Sequence, residues 1–179
     1  MSKILVDTID TRSGTTNLTI GSTNSSTVTF ENGAVTGHMY PAFFVSLGSA
    51  QSISNSSRTV LQLNTEDYDT NNLFNTSTYK FTVTSGYEGK YWFAVASRNN
   101  NWTSNRHILY ITKNGSSFVE NEQGAGGNYH GNFISATIDM TTDDYVQAEF
   151  FHDNGSSKEV AGDFSGTALT YMTGYRIGS

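Results

Sequence analysis

Along most of the chain apolar and polar residues alternate with a period of two, and Gly, Asn or Ser interrupt the alternation every few residues. A period of two sends successive side chains to opposite faces of an extended strand. From Pro41 to Leu47, residues Phe43, Val45 and Leu47 share one face, and Thr59 to Leu63 alternates with Val60 and Leu61 as the inward candidates. Tyr79 to Val83 is a clean period-two run, and Tyr91-Trp92-Phe93-Ala94-Val95-Ala96 is nearly continuous, the pattern of a central strand. Ile108 to Ile111, Phe133 to Ile138, Tyr145 to Phe151 and Phe164 to Met172 complete the set. Turn signals separate these runs at Gly86 and Gly89, at Asn114-Gly115 and at Asn154-Gly155. No stretch keeps apolar residues at spacings of three and four over ten residues, so the pattern predicts an all-β sandwich.

The first forty residues read differently. Their apolar positions come in small sets, Leu18 with Ile20, Val28 with Phe30, then Val35, divided by Ser13-Gly14, Gly21-Ser22, Asn24-Ser25-Ser26 and Asn32-Gly33. Strands of three or four residues bury too little apolar area to stand alone. Residues 1–40 are therefore expected to form a β-rich stalk or anchor, stabilised by identical copies or by a docking partner. A boundary falls near Gly37 to Pro41, and residues 41–179 form the body.

Composition narrows the class further. Hydrophobic residues make up only 36%, yet aromatic residues reach 13%, which implies a packed core rather than disorder. Net charge is −6 with pI about 5.0, and no run of four Lys or Arg occurs, which argues against nucleic acid as a partner. The lack of cysteine removes disulfides and thiolate metal sites and favours folding in a bacterial cytosol. The apolar run in Met1 to Asp7 is too short for a signal peptide, and no other apolar stretch matches a bilayer. The expectation is a complete soluble product made in a host cytoplasm, with no membrane insertion.

From about Pro41 to Met172 the chain resembles the C1q/TNF-like jelly-roll domain. Pro41-Ala42-Phe43 matches that family's opening strand, and Tyr68-Asp69 followed by Tyr79-Lys80-Phe81 matches its Tyr-Asp and aromatic-x-Phe segments. Gly86 and Gly89-Lys90-Tyr91-Trp92-Phe93 match the glycine turn and Gly-x-Tyr-x-Phe strand, and Lys113-Asn114-Gly115 matches the Asn-Gly hairpin. Ile138-Asp139-Met140 with Asp144-Tyr145-Val146, and Phe164-Ser165-Gly166 with Leu169, match the closing segments. Asp143 stands where the family carries glycine, and no Gly-x-y repeat precedes the domain. The front segment instead resembles the Thr/Asn/Gly-rich shafts of phage tail fibres, above all at Val6-Asp7-Thr8-Ile9-Asp10-Thr11 and Val28-Thr29-Phe30-Glu31-Asn32-Gly33.

The resemblance implies a homotrimer. Aromatic residues in excess of one small core would line the threefold interface, with Phe43, Tyr91, Phe93, Tyr145 and Phe150 as the expected set. It also implies that Glu66, Asp67 and Asp69 are candidate oxygen ligands for Ca²⁺, against the plainer reading of a solvated loop. Asp143 and Asp144 are adjacent and so point apart, and Asp144 is expected to cap the turn before Tyr145.

Catalytic patterns are missing from the sequence. His38, His107, His130 and His152 show no metal-ligand spacing, and no Gly-x-Ser-x-Gly elbow occurs. No metal or cofactor is expected, and the chain is read as non-enzymatic. Two amide- and aromatic-bearing loops are the candidate binding surfaces, Asn99 to Arg106 with Asn101, Trp102 and Arg106, and Gln123 to Asn132 with Tyr129 and His130. The expected function is that of a phage virion structural protein, a tail fibre or surface appendage exposed on the particle. Residues 1–40 would dock on other virion proteins while the jelly roll binds a host-surface glycan or protein. The alternative is a capsid decoration or cement protein whose N-terminal arm docks on the shell.

Overall fold

The computed structural model describes residues 41–100, 106–124 and 129–178, with Asn100 and Tyr129 described in backbone only. The expected anchor, residues 1–40, lies outside the described residues. Within them the chain forms β1 (Ala42–Ser46), β2 (Gln51–Ile53), β3 (Thr59–Val60), β4 (Thr65–Asp69), β5 (Phe74–Asn75), β6 (Lys80–Thr82) and β7 (Gly89–Asn100). There follow β8 (His107–Lys113), β9 (Ser116–Gln123), β10 (Tyr129–Met140), β11 (Tyr145–His152), β12 (Lys158–Val160) and β13 (Tyr171–Gly178).

Two antiparallel sheets face each other. In the first, β7 is central: β10 pairs along one side, and β13, β1 and β4 follow on the other. The short β12 pairs with β7 at Asn99, beyond the end of β13, and carries β2 on its far side. The second sheet runs β5–β6–β11–β8–β9, with β3 beside β11. We call them the β7 sheet and the β11 sheet. The expected all-β sandwich is the fold observed.

Period-two alternation builds the interior. Tyr91, Phe93 and Val95 of β7, Phe43 and Val45 of β1, Phe81 of β6 and Val146, Ala148 and Phe150 of β11 are all buried. The ring of Phe43 stacks 4.7 Å from Phe81 and 5.4 Å from Phe74, and Phe81 meets Tyr91 and Phe93 edge-on. Such offset and edge contacts add to the burial of apolar area. Tyr91 keeps its hydroxyl satisfied by donating to the Tyr87 carbonyl at 2.6 Å, and burial pushes its phenol up to about 12. At Gly174 of β13 the space of a side chain is occupied, since a Cβ there would lie 2.7 Å from the Phe93 ring and 2.9 Å from that of Phe43.

Turn chemistry follows the residues that mark it. Asn114 and Gly115 both take positive φ, 53° and 78°, the geometry of a tight hairpin between β8 and β9. Asp143 adopts φ 68°, so it takes the left-handed conformation for which the resembled family uses glycine.

Several expected elements differ. The run Phe164 to Met172 is not one strand: Ser165 and Gly166 carry positive φ, Phe164 and Thr167 exchange two backbone hydrogen bonds, and β13 begins only at Tyr171. In Thr59 to Leu63 only the first two residues pair, and Leu61 and Leu63, not Val60, reach the core. The side chain of Gln51 holds this stretch, donating to the Val60 carbonyl at 2.9 Å and accepting from the Gln62 N–H at 2.9 Å. The acidic stretch expected as a loop is the edge strand β4, and β9 is a strand that carries too few apolar residues to show a pattern.

Candidate functional site

Four of the five expected interface residues are placed otherwise by the structure. Phe43, Tyr91, Phe93 and Phe150 have no exposed surface within their own chain, so they form the sandwich interior and not a threefold interface. Tyr145 is half-buried on the outer face of the β11 sheet, where Lys80 Nζ lies 3.8 Å from its ring centre. Hydrophobic periodicity cannot tell a ring buried between two sheets from one buried between two chains, because both leave the same apolar position.

The rings left at the surface divide into two kinds. On the β11 sheet three are covered by cations, Lys80 over Tyr145, Arg58 4.1 Å from the centre of Tyr110, and Arg106 5.5 Å from that of Phe151, while Phe118 of the edge strand β9 stays 46% exposed. Arg58 also pairs with Glu149 and donates to Ser117 at 2.7 Å, so charge and polar side chains cover the outer face over β8 and β11.

The outer face of the β7 sheet has the opposite character. Cross-strand register aligns Trp92 with Tyr175, and Tyr171 with Ala96 and then Phe133. Phe44 stacks on Tyr171 at 5.1 Å and lies 6.5 Å from Tyr68, and Trp92 lies 5.4 Å from Tyr175. Ala94 and Ala96 form a low floor between these rings. Phe133 remains 53% exposed, Tyr175 47% and Tyr68 45%. Among the described residues no cation covers any ring of this face. Phe44, Trp92, Tyr68, Tyr171 and Tyr175 were not expected at an interface; their signal in the sequence is the aromatic residue at an outward, polar-phase position.

At one end of the sandwich the two candidate loops are shorter than expected, because β7 extends to Asn100 and β10 begins at Tyr129. Asn101 and Trp102 lie outside the described residues, as does the side chain of Tyr129. Arg106 is engaged, its Nε 2.9 Å from Asp153 Oδ2 and its Nη1 3.6 Å from Glu122. His130 lines a shallow pocket of about 380 Å³ with Arg98, Gly131, Phe133 and Leu169. Arg106 belongs to the β11 sheet side and His130 to the β7 sheet, and no contact between them is observed. Behind His130 the interior turns polar, with Ser97, Asn99, His107, Asn132 and His152 all buried. Sequence reading passed over this group because its members are scattered over four strands.

The candidate calcium ligands are placed apart in role. Asp69 accepts backbone N–H groups from Asn71 at 3.2 Å and Phe74 at 2.6 Å, which shapes the turn after β4. Glu66 and Asp67 line an open groove of about 510 Å³ that also contains Asp163, itself bonded to Ser46 at 2.8 Å. Among the described residues no three His, Asp or Glu side chains gather to hold a metal. Asp144 serves the turn as a cap: it accepts from the Thr141 N–H at 2.8 Å, from Asn114 Nδ2 at 2.6 Å and from Lys113 Nζ at 2.8 Å. Its partial burial alone would raise its pKa, but these donors prevail and hold the carboxyl well below the usual range.

No protein-family model matches the sequence, and no curated protein matches it. Among solved structures, the chain is similar to the globular domain of zebrafish complement 1qA protein, at 17% identity and TM-score 0.55, covering 76% of this chain and 97% of that one. It is similar to PRD1 vertex protein P5 at 17% identity and TM-score 0.60, covering 79% and 99%, and to murine APRIL at 10% and 0.58, covering 77% and 99%. With the sheet order described above, these similarities show that the body of this chain has the C1q/TNF-like jelly-roll fold.

Proposed function

We propose that this chain is a non-enzymatic structural protein of a bacteriophage virion, a homotrimer that displays its jelly roll on the particle surface. The observation that carries the reading is the outer face of the β7 sheet, where Phe44, Tyr68, Tyr171, Trp92, Tyr175 and Phe133 gather with no cation over them among the described residues, while three rings of the β11 sheet, Tyr110, Tyr145 and Phe151, are capped by cations. Burying one such ring contributes about 1.5–3 kcal/mol, and three copies arranged head to tail close into a ring that covers the face in every copy.

Residues 1–40 serve as the anchor to other virion proteins. The similarity to a vertex protein supports mounting on the shell, as a decoration or head fibre, over a tail fibre. The end of the sandwich carrying His130 and the neighbouring loops then faces outward toward a host-surface glycan or protein, and three copies per assembly raise the effective affinity of each contact.

Sedimentation velocity tests the assembly. The full chain is expected to sediment as three times its 19.6 kDa mass, and the double variant Trp92→Ser, Tyr175→Ser as a folded monomer. A wild-type chain that stays monomeric at tens of micromolar overturns the trimer. Labelling of intact particles with an antibody to this chain locates it on head or tail, and absence of label on purified particles overturns the virion assignment.

A further inference from the structure

Three of the four histidines meet at one end of the sandwich. His107 of β8 and His152 of β11 are direct cross-strand partners, both fully buried, and the ring of His130 of β10 lies 5.9 Å from that of His107. Both ring nitrogens of His152 face backbone groups. Its Nε2 faces the Ile53 carbonyl at 2.9 Å, which only accepts, and its Nδ1 faces the Asn154 N–H at 3.2 Å, which only donates. These two partners fit the tautomer with hydrogen on Nε2. A second proton would turn an acceptor into a donor pointed at a donor. His107 Nε2 lies 3.2 Å from Asn132 Oδ1, and its ring stacks 6.0 Å from Phe150.

We infer that this histidine cluster makes the β8–β10–β11 end of the sandwich an acid-labile unit, which opens locally when its imidazoles take up protons while the aromatic end stays closed.

The surroundings localise the effect. Asn99 has no hydrogen-bond partner for either amide atom among the described residues, nor do Ser97 Oγ and Asn132 Nδ2, so this end is already the least well satisfied part of the interior. Burial is the first cause lowering the pKa of His107, prevailing over the bond to Asn132, and the neighbouring imidazoles of His130 and His152 disfavour its charged form further. A lowered imidazole pKa supplies stability that is present above about 6.5, the ordinary value, and is lost as pH falls through the folded value. The other ionisable groups at this end are Arg106, Asp153 and Glu122, which pair with one another across the outer face, with Arg98 on β7 and with Lys158 and Glu159 on β12, the strand next to β2. The same end leads into residues 101–105 and 125–128, so acid would loosen the part of the domain that carries the candidate binding loops. The inference does not depend on the virion assignment or on the trimer.

Hydrogen–deuterium exchange on the full chain at pH 7.5 and 5.0, corrected for intrinsic rates, tests it. Protection of the amides of His107–Leu109 and Phe150–His152 should be lost at the lower pH while Tyr91–Val95 keep theirs. The variant His107→Gln, His152→Gln should lose this difference. Should that variant not fold, the wild-type imidazole NMR titration decides, with His107 expected to titrate below the ordinary range. Equal loss of protection at both ends, no loss at either, an unchanged step in the folded variant, or ordinary titration of His107 would each overturn the inference.

Discussion

Trp92 and Tyr175 stand opposite each other on β7 and β13 with ring centroids 5.4 Å apart, on the outer face of their sheet. Their strand neighbours Phe93 and Gly174 point the other way, and the Phe93 ring fills the space that Gly174 leaves empty. One cross-strand step thus separates two functions of aromatic residues in this chain: cohesion of the fold inside, and an aromatic surface outside over which no cation lies among the described residues. The expectations that follow exploit that separation.

Phe43→Ala should act on the fold itself. Its ring touches Phe74, Phe81 and Phe93, so its removal leaves a cavity and should cost about 3–5 kcal/mol in urea denaturation. Tyr68→Ser, on the outer face, should leave far-UV circular dichroism in dilute samples unchanged and weaken self-association in sedimentation. A loss of association in Phe43→Ala without loss of structure would return Phe43 to the interface.

Gly174→Ala should destabilise although it adds a single methyl group. The new Cβ would meet the Phe93 ring, the Phe43 ring and the Trp92 carbonyl, all within 3 Å. Overpacking of this kind costs about 1–3 kcal/mol, read as a lowered thermal midpoint. A neutral effect would mean that the two rings move aside freely.

Asp144 links the hairpin at Asn114 to the turn at Thr141, and its carboxyl is held well below the ordinary range. A depressed carboxyl contributes stability that is full above the unfolded value near 4 and is lost as pH falls below it. Asp144→Asn should therefore lower stability at pH 7 by about 1–3 kcal/mol and flatten the fall between pH 5 and pH 3. Paired urea melts at pH 7 and pH 3 check both effects.

Arg58→Ala should uncover Tyr110 and leave Glu149, whose side chain is only 13% exposed, without its cation. A buried charge stripped of its partner costs about 1–3 kcal/mol. Arg58→Lys should restore part of that loss only, because a single ammonium cannot bind Glu149 and Ser117 and lie flat on a ring at once. Denaturation midpoints of the two variants, measured side by side, distinguish these outcomes.

How much of this was legible beforehand follows from what period and turn chemistry encode. Alternation at Phe43, Val45 and Leu47 and at Tyr91, Phe93 and Val95 marks strands with one face inward, and those residues are buried. The pair Asn114-Gly115 specifies a tight hairpin because both residues accept positive φ. The strands that escaped, β2, β4, β5, β9 and β12, lie at sheet edges or beside them, where fewer neighbours demand fewer apolar side chains. The run at Phe164 failed because Ser165 and Gly166 turn the chain before the strand begins.

By itself, then, the sequence determined the class of this protein and the residues of its interior, because strand period and turn preference are local properties of the chain. Only the tertiary structure decided which rings share a surface, which of them a cation covers, and that His107, His130 and His152 meet at one end. Those facts depend on register between strands far apart in sequence, and a shift of one residue would send every side chain to the other face.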